Sequence, residues 1–477
     1  MTSSIAGKAR KIAVIGGGFC GAFFAARLAE RSTRPVVIQI IEPRSHLGGG
    51  VAYSSTDPAH RVNVPASRMS IFPEQPDDFM VWLRQSGALE DDPEAVWHDG
   101  SLYPRRSTFG RYMAELVALR QARHKCASIT HIQDRALSVA RQEGGYHVHL
   151  ENGGTVAADV MVIATSHPPP AKPALFAGIL ANDPRLIANP WAPDALKDIP
   201  ATAAIAIMGT GLTMADVVAS LAHQGHTGSI TAFSRRGQLA RGHAVSMPAT
   251  PFTWFDTNET PRSTRALLCL VRTLLHSEAA AGYPWQTMFD NIRANGQKLW
   301  QRLDDSERRR FLRHLRVYWD AHRYRTAPQI EDIIRRQREA GRLRVLSASL
   351  QDVESTSQQI TLSLQSRGKS QNQLIRMGVD RIILATGPDH GGAIKGNPVL
   401  ASLADLGLIR SDPLGLGLAV NGTGQAIMED GTSALNVFVA GPLARERFGE
   451  LMGLPQVANQ TDAVVRYVAE NLLTIGA

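Results

Sequence analysis

Apolar residues in this chain fall into short continuous runs bounded by polar turns, the pattern of strands covered on both faces. Two of these runs open the same succession of elements. Lys11–Ile15 leads into Gly16-Gly-Gly-Phe-Cys-Gly21, then an alanine-rich helical stretch over Ala22–Glu30, then a second strand, Val36–Ile41, ending at Glu42. Nearly two hundred residues later Ala204–Met208 leads into Gly209-Thr-Gly-Leu-Thr-Met-Ala215, a helix over Asp216–His223, and a strand, Ile230–Phe233, ending at Ser234-Arg235-Arg236. Gly16 to Glu42 and Gly209 to Arg235 are both 26 residues, so the two units align and each predicts a complete βαβ unit. Two such units predict two dinucleotide-binding domains.

The remaining pattern fits around them. A loop-rich stretch, Leu47–Pro76, precedes a helix at Phe79–Arg84 and a β-rich piece near Tyr146–Leu150. A strand at Asp159–Ala164 runs into Thr165-Ser-His167-Pro-Pro-Pro170. Asn189–Pro200, with proline near both ends, reads as a linker. A helical segment over about 260–340 follows, then strands near Leu343–Leu346 and Ile360–Leu364, and Asp380–Leu384 leading to Ala385-Thr386-Gly387-Pro388. A last strand, Leu435–Ala440, ends in Gly441-Pro442, and a terminal helix covers Asp462–Leu472. The predicted fold is α/β with two Rossmann-like domains. A discontinuous first domain takes 1–195 and 376–477, and the second, 196–375, is inserted and carries the helical segment.

A lone GxGxxG string is a weak signal, but Gly16, Gly18 and Gly21 follow a strand, open a helix and have Glu42 at the end of the next strand. The glycines permit a tight turn and close approach of pyrophosphate, the helix N-terminus offers N–H donors, and Glu42 can accept ribose hydroxyls. The second turn keeps Gly209 and Gly211 but has no acid after its second strand; Ser234, Arg235 and Arg236 stand there. A carboxylate would repel a 2′-phosphate and a guanidinium can grip it, so this turn predicts NADP(H). An acid-closed site and an arginine-closed site together predict FAD in the first domain and NADPH in the second. No GxSxG elbow, HExxH or Walker lysine occurs, and no metal site is expected.

Composition changes this picture in one respect. The 477 residues are 44% hydrophobic, and the three cysteines, Cys20, Cys126 and Cys269, exclude a disulfide framework, a CxxC redox pair and a cysteine zinc site. The start of the chain lacks an apolar run and no window is long enough to span a bilayer, so the expectation is a cytoplasmic protein without membrane contact. The net charge is +8, and the stretch 302–344 alone holds 13 arginines against 7 acids. With no aromatic-interleaved basic motif, nucleic acid is not the expected partner. The local excess suits the NADP phosphate, an acidic substrate or a subunit face, and the oligomeric state stays open.

Several longer stretches carry a family resemblance: Gly49-Gly-Val-Ala-Tyr53, Pro58-Ala-His60-Arg-Val-Asn63-Val-Pro-Ala66 with Met69-Ser70, Tyr103-Pro-Arg105-Arg106, Asn189-Pro-Trp191, Ser234-Arg-Arg-Gly237 and His322-Arg-Tyr-Arg325. With the two turns, they resemble the two-dinucleotide FAD/NAD(P)-binding flavoproteins that include FAD-dependent urate hydroxylases and bacterial aspartate N-hydroxylases. More distantly the chain is similar to class B flavin monooxygenases and ornithine N-hydroxylases. The resemblance implies FAD held through Gly16, Gly18, Phe19, Gly21 and Glu42, with Asn63, Val64 and Met69 near the isoalloxazine. It places Thr165, and Thr386 with Gly387, where relatives carry an Ala-Thr-Gly segment near the cofactors. Ser166 replaces that glycine in the first segment, and Gly441-Pro442 stands where many flavoproteins have Gly-Asp.

The implied activity is an NADPH-dependent monooxygenase that uses O2, through a flavin hydroperoxide, to hydroxylate a small polar molecule: an amine or amino-acid nitrogen, or a purine such as urate. The alternative is an NAD(P)H:acceptor flavin oxidoreductase without oxygen transfer. His60 and Asn63 are the catalytic candidates, against the plainer role of fixing their proline-flanked loop. His167 reads as a turn residue, and Arg105 and Arg106 as an anion-binding pair or solvated charge. Cys20 reads as a small packing residue in the first turn.

Overall fold

The computed structural model describes residues 9–245, 255, 261–277, 282–367 and 373–473. The chain's first eight residues and position 260, where the helical segment was expected to begin, lie outside the described residues.

Six strands form the first sheet, in the order Gln425–Ile427, Ser433–Val439, Val160–Ile163, Arg10–Ile15, Val36–Ile41, Ala127–Ile132. All neighbours pair in parallel except Gln425–Ile427 with Ser433–Val439. The continuous apolar runs have the cause expected of them. Along Arg10–Ile15, Ile12 and Val14 join a core under one face while Ala13 and Ile15 join a second core under the other. Helices Phe19–Arg31, Arg106–Arg123 and Gln456–Asn471 cover the first face. A three-stranded antiparallel sheet (Ala136–Gln142, Gly145–Leu150, Thr155–Ala158) and helix Pro398–Asp405 cover the second.

The second sheet has seven strands, in the order Leu374–Val379, Ile360–Ser366, Leu343–Ser355, Ile230–Ser234, Ile205–Met208, Arg381–Leu384, Leu186–Ile187. Ile205 and Ile207 face one core, Ala206 and Met208 the other. Two strands fall outside the expected limits of 196–375. Leu186–Ile187 pairs with Arg381–Leu384, which pairs with Ile205–Met208, so both belong to the second sheet. Phe176 and Leu180 bury in its core as well. The Ala385-Thr386-Gly387 segment therefore follows a strand of the second domain. The proline stretch and the linker composition drew the boundary in the wrong place, because local composition does not reveal strand pairing.

Both turn helices start earlier than periodicity suggested, at Phe19 and Leu212, immediately after Gly18 and Gly211. Glycine lowers helix propensity, but here each is the capping residue from which the helix springs. In the helical segment, Asp305–His314 and Arg316–Arg323 are separate helices broken at Leu315. This segment clasps the C-terminal part of the first domain. The Trp300 Nε1–H donates to the Glu446 carbonyl at 2.6 Å, and Arg308 pairs with Glu446 at 3.0 Å.

Candidate functional site

A cleft of about 520 Å³ lies over the carboxyl ends of the first sheet's strands. It runs from Glu42, Pro43 and Arg44 past Gly16, Gly18 and Phe19 to Thr165–Pro169 and on to Pro442 and Met452–Leu454. Gly16 has φ 103°, and a Cβ there would press on the Ala164 carbonyl; a Cβ at Gly21 would overlap the Gly16 carbonyl. Only glycine allows the turn and the helix to close on each other this tightly. Helix Phe19–Arg31 has no side-chain cap and no acid in its first turn, so its leading N–H groups and positive dipole end remain for an anion. Glu42 is buried; its Oε2 accepts from the Gly17 N–H at 2.9 Å and its Oε1 from Arg44 Nη1 at 2.9 Å. Those bonds fix the carboxylate at the cleft's end. Thr165 Oγ1 is sealed from solvent without a hydrogen-bond partner in the wall. An uncapped helix, a held carboxylate and an orphaned hydroxyl fit a dinucleotide stretched from Glu42 toward Pro442. Cys20 is a packing residue: Gly441 folds against its Sγ, and burial pushes its thiol up to about 12.

The second turn repeats the first. The Gly209 N–H donates to the Phe233 carbonyl at 2.8 Å, as the Gly16 N–H does to Ile41 at 2.9 Å. Gly209 has φ 123°, and a Cβ would overlap the Ala385 carbonyl, the counterpart of Ala164. Thr386 and Gly387 thus stand beside the second turn, and Thr165 beside the first. Helix Leu212–His223 is likewise uncapped and free of acids in its first turn. A Cβ at Gly211 would meet nothing within 4 Å. Ser234 Oγ pairs with Thr210 Oγ1 at 2.9 Å, holding the strand end to the turn. Arg235 and Arg236 are exposed there, with no carboxylate within 4.0 Å among the described residues. A larger cleft, about 1380 Å³, opens from Thr210, Gly211 and Met214 toward Arg68, His243 and Glu331.

The two catalytic candidates lie elsewhere. His60 is buried where the first domain meets helix Leu212–His223, its Nδ1 2.7 Å from Ser55 Oγ and its Nε2 3.0 Å from Ser220 Oγ. Burial lowers its pKa below the ordinary imidazole value. Asn63 Oδ1 accepts from Arg106 at 3.3 Å, and its carbonyl oxygen lies 2.8 Å from His243 Nε2. Neither lines the first cleft; nor do Val64, packed at the core, and Met69, buried within it. Their loop is an interdomain seam rather than a reacting surface. Arg106 centres that seam, pairing with Asp216 at 2.9 Å under the Trp191 ring. It is not an anion-binding surface residue.

The His322–Arg325 motif also turns inward. Arg323 pairs with Glu450 at 2.6 Å, Arg325 with Asp290 at 2.8 Å, and His322 stacks on Phe289. It reaches neither a nucleotide nor a free surface. Conversely, Arg135, Asn397 and Met452–Leu454 line the first cleft without having been singled out. No local motif marks them, because tertiary folding brings them there. Arg44, two residues beyond Glu42, carried a signal that the acid alone overshadowed. Among the described residues no group of three histidine, cysteine or acidic side chains could hold a metal ion, and no helix is long and apolar enough to cross a membrane.

Comparison with known proteins agrees with this geometry. Residues 13–168, about a third of the chain, match a protein family described as FAD-NAD(P)-binding. No curated protein sequence matches the chain. Solved structures are similar over nearly all of it. The reduced form of ornithine hydroxylase from Pseudomonas aeruginosa aligns at 15% identity over 97% of this chain and 100% of its own, with a TM-score of 0.61. Ornithine N-hydroxylase from Kutzneria sp. 744, in a structure with reduced FAD, NADP+ and L-ornithine, aligns at 16% identity over 96% and 99%, also with a TM-score of 0.61. L-lysine 6-monooxygenase from Pseudomonas syringae aligns at 15% identity over 96% and 99%, again with a TM-score of 0.61. The chain has the fold of these hydroxylases, two Rossmann-like domains with the second inserted in the first, and its first domain carries the FAD-NAD(P)-binding signature.

Proposed function

We propose that this protein is an FAD- and NADPH-dependent monooxygenase that hydroxylates the nitrogen of a small polar amine. The observation that carries the reading is the pair of glycine turns, one closed by a buried carboxylate and the other by two unpaired arginines. The similarity to ornithine and lysine hydroxylases favours an amine over a purine, for which the similar structures offer no counterpart.

In this reading the N–H groups after Gly18 and Gly211 hold the two pyrophosphates, Glu42 holds the FAD ribose, and Arg235 and Arg236 hold the 2′-phosphate of NADPH. FAD, when bound, supplies hydride acceptance and oxygen activation. The chain's contribution is placement and exclusion of water. Phe19, Tyr53, Pro442 and Leu454 give the first cleft an apolar lining, which limits solvent at the reacting end. The ion pair between Arg106 and Asp216 ties the two nucleotide sites into one frame.

The test is to load purified protein with FAD and follow NADPH oxidation with and without amines, measuring hydroxylamine and peroxide together. Amine-dependent hydroxylamine is expected. A protein that cannot be loaded with FAD refutes the cofactor reading. Oxidation that yields only peroxide with every amine refutes oxygen transfer and leaves a simple NADPH oxidoreductase.

A further inference from the structure

Beyond the first cleft's far wall lies a buried polar cluster that no step above uses. Arg445 follows the turn Pro442–Ala444 and is only 6% exposed. Buried arginines are nearly always paired with an acid. Arg445 has no carboxylate oxygen within 4.0 Å among the described residues, and its one hydrogen bond is a long one, 3.5 Å, to Tyr324 Oη. The nearest acids are committed elsewhere. Glu450 pairs with Arg323 at 2.6 Å and Asp320 with Arg316 at 3.3 Å. Arg293, a further cation in this cluster, is held by the Leu454 carbonyl and Gln456 rather than by an acid. Positive charge therefore exceeds negative charge in a region screened from water.

Two imidazoles adjoin it. His167 lines the cleft, and its ring meets that of His390 edge-on with centroids 5.0 Å apart. The Nδ1 of each is sealed and without a partner. Burial and the charge of Arg445 hold both rings neutral, with pKa values near 4 for His167 and near 3 for His390. Neutral imidazoles add no charge to a site that already has an excess, and each retains a nitrogen for a hydrogen bond.

Position gives the cluster its meaning. The first cleft crosses the strand ends from Glu42, past Gly16 and Thr165, to Pro442. A dinucleotide with its adenosine at Glu42 directs its reactive end toward Pro442 and His167. We propose that Arg445, with the Tyr324 hydroxyl, is the subsite for a carboxylate of the substrate, which makes the substrate an amino acid rather than a simple amine. This rests on the amine-hydroxylating reading and narrows it. A carboxylate supplies the missing counter-charge by a charge-assisted, bidentate contact, and the imidazole nitrogens lie beside it to take polar hydrogens of the same molecule.

The experiment measures binding to the FAD-loaded protein by calorimetry, for L-ornithine, L-lysine and L-aspartate against 1,4-diaminobutane, 1,5-diaminopentane and β-alanine. Each pair has the same skeleton with and without the α-carboxylate. At least one amino acid is expected to bind ten-fold or more tightly than its decarboxylated partner, and Arg445→Gln is expected to bring that ratio to about one. Arg445→Lys, which keeps the charge without the fork, should retain part of the preference. Tyr324→Phe should reduce it and guards against a misfolded Arg445 variant. A ratio near one in the parent protein for all three pairs overturns the proposal, as does a ratio that survives Arg445→Gln in folded protein. Loss of FAD from Arg445→Gln with the ratio unchanged assigns the guanidinium to the cofactor and overturns it equally. A ratio that behaves as expected in a protein that forms no hydroxylamine leaves the carboxylate subsite standing and refutes the monooxygenase reading alone.

Discussion

Gly211→Ala separates a ligand role from a folding role at the second turn. Gly211 has φ −88° and ψ −159°, a conformation alanine adopts without strain, and its Cβ would meet nothing within 4 Å. Folding should therefore be unharmed, and the loss of unfolded-chain freedom should stabilise by about 0.4–1 kcal/mol. The added methyl nevertheless stands where pyrophosphate approaches the uncapped helix. Losing one charge-assisted hydrogen bond from a backbone N–H costs about 1.5–3 kcal/mol, which is about ten- to a hundredfold in affinity. The assay is stopped-flow reduction of bound FAD as a function of NADPH concentration, with thermal unfolding of the same sample. The expected result is a Kd for NADPH raised at least ten-fold with the melting temperature unchanged or slightly raised. Gly209→Ala is the contrasting control: its Cβ overlaps the Ala385 carbonyl at φ 123°, so it should lower the melting temperature. If Gly211→Ala binds NADPH within two-fold of the parent, no phosphate approaches that turn and the reasoning fails.

Three other outcomes are expected. Arg235→Glu should raise KM for NADPH at least ten-fold more than KM for NADH, because only NADPH brings a 2′-phosphate to the reversed charge; equal effects on both would remove that role. Asp216→Ala should destabilise the protein by about 3–5 kcal/mol, because it leaves Arg106 buried beside Trp191 without its counter-charge. Denaturant unfolding checks this, with the double variant Arg106→Met/Asp216→Leu expected to recover much of the loss, and a single variant as stable as the parent would contradict it. The third outcome concerns pH. His167 and His390 bind protons near pH 6.5 when unfolded but only near pH 4 and pH 3 when folded. Below pH 6.5 the unfolded chain takes up protons that the folded one does not, so stability should fall as pH drops from about 6.5 toward 4. Unfolding midpoints at pH 7, 6 and 5 should show a shallower slope in His390→Asn, and an identical slope would refute the assignment.

What the sequence revealed was whatever depends on neighbours along the chain. The strand before Gly16 and the strand before Gly209 could be read because both faces of each are buried, which leaves an uninterrupted apolar run. The residue after the second strand was legible by counting, since a βαβ unit fixes its spacing. The basic stretch over 302–344 misled for the complementary reason. A local tally finds too few acids, yet Arg308 and Arg323 meet Glu446 and Glu450 from more than a hundred residues away. His60 and Asn63 looked exposed among prolines, but helix Leu212–His223 packs over that loop, and nothing near either residue announces it. Arg445, Tyr324, His167 and His390 come from four separate stretches and form a group only in three dimensions.

The chain passes between the two sheets twice, once after Val160–Ile163 and once after Arg381–Leu384. The passages run side by side: the Asp389 N–H donates to the Pro169 carbonyl at 3.3 Å, and His390 abuts His167. Two adjacent covalent straps act as a double-pinned door. They leave rotation about the line through both as the soft movement and resist sliding or twisting of one lobe on the other. Any opening that admits or releases a nicotinamide must therefore turn about an axis passing beside Arg445, so that the substrate's end of the cleft moves least while the mouth moves most.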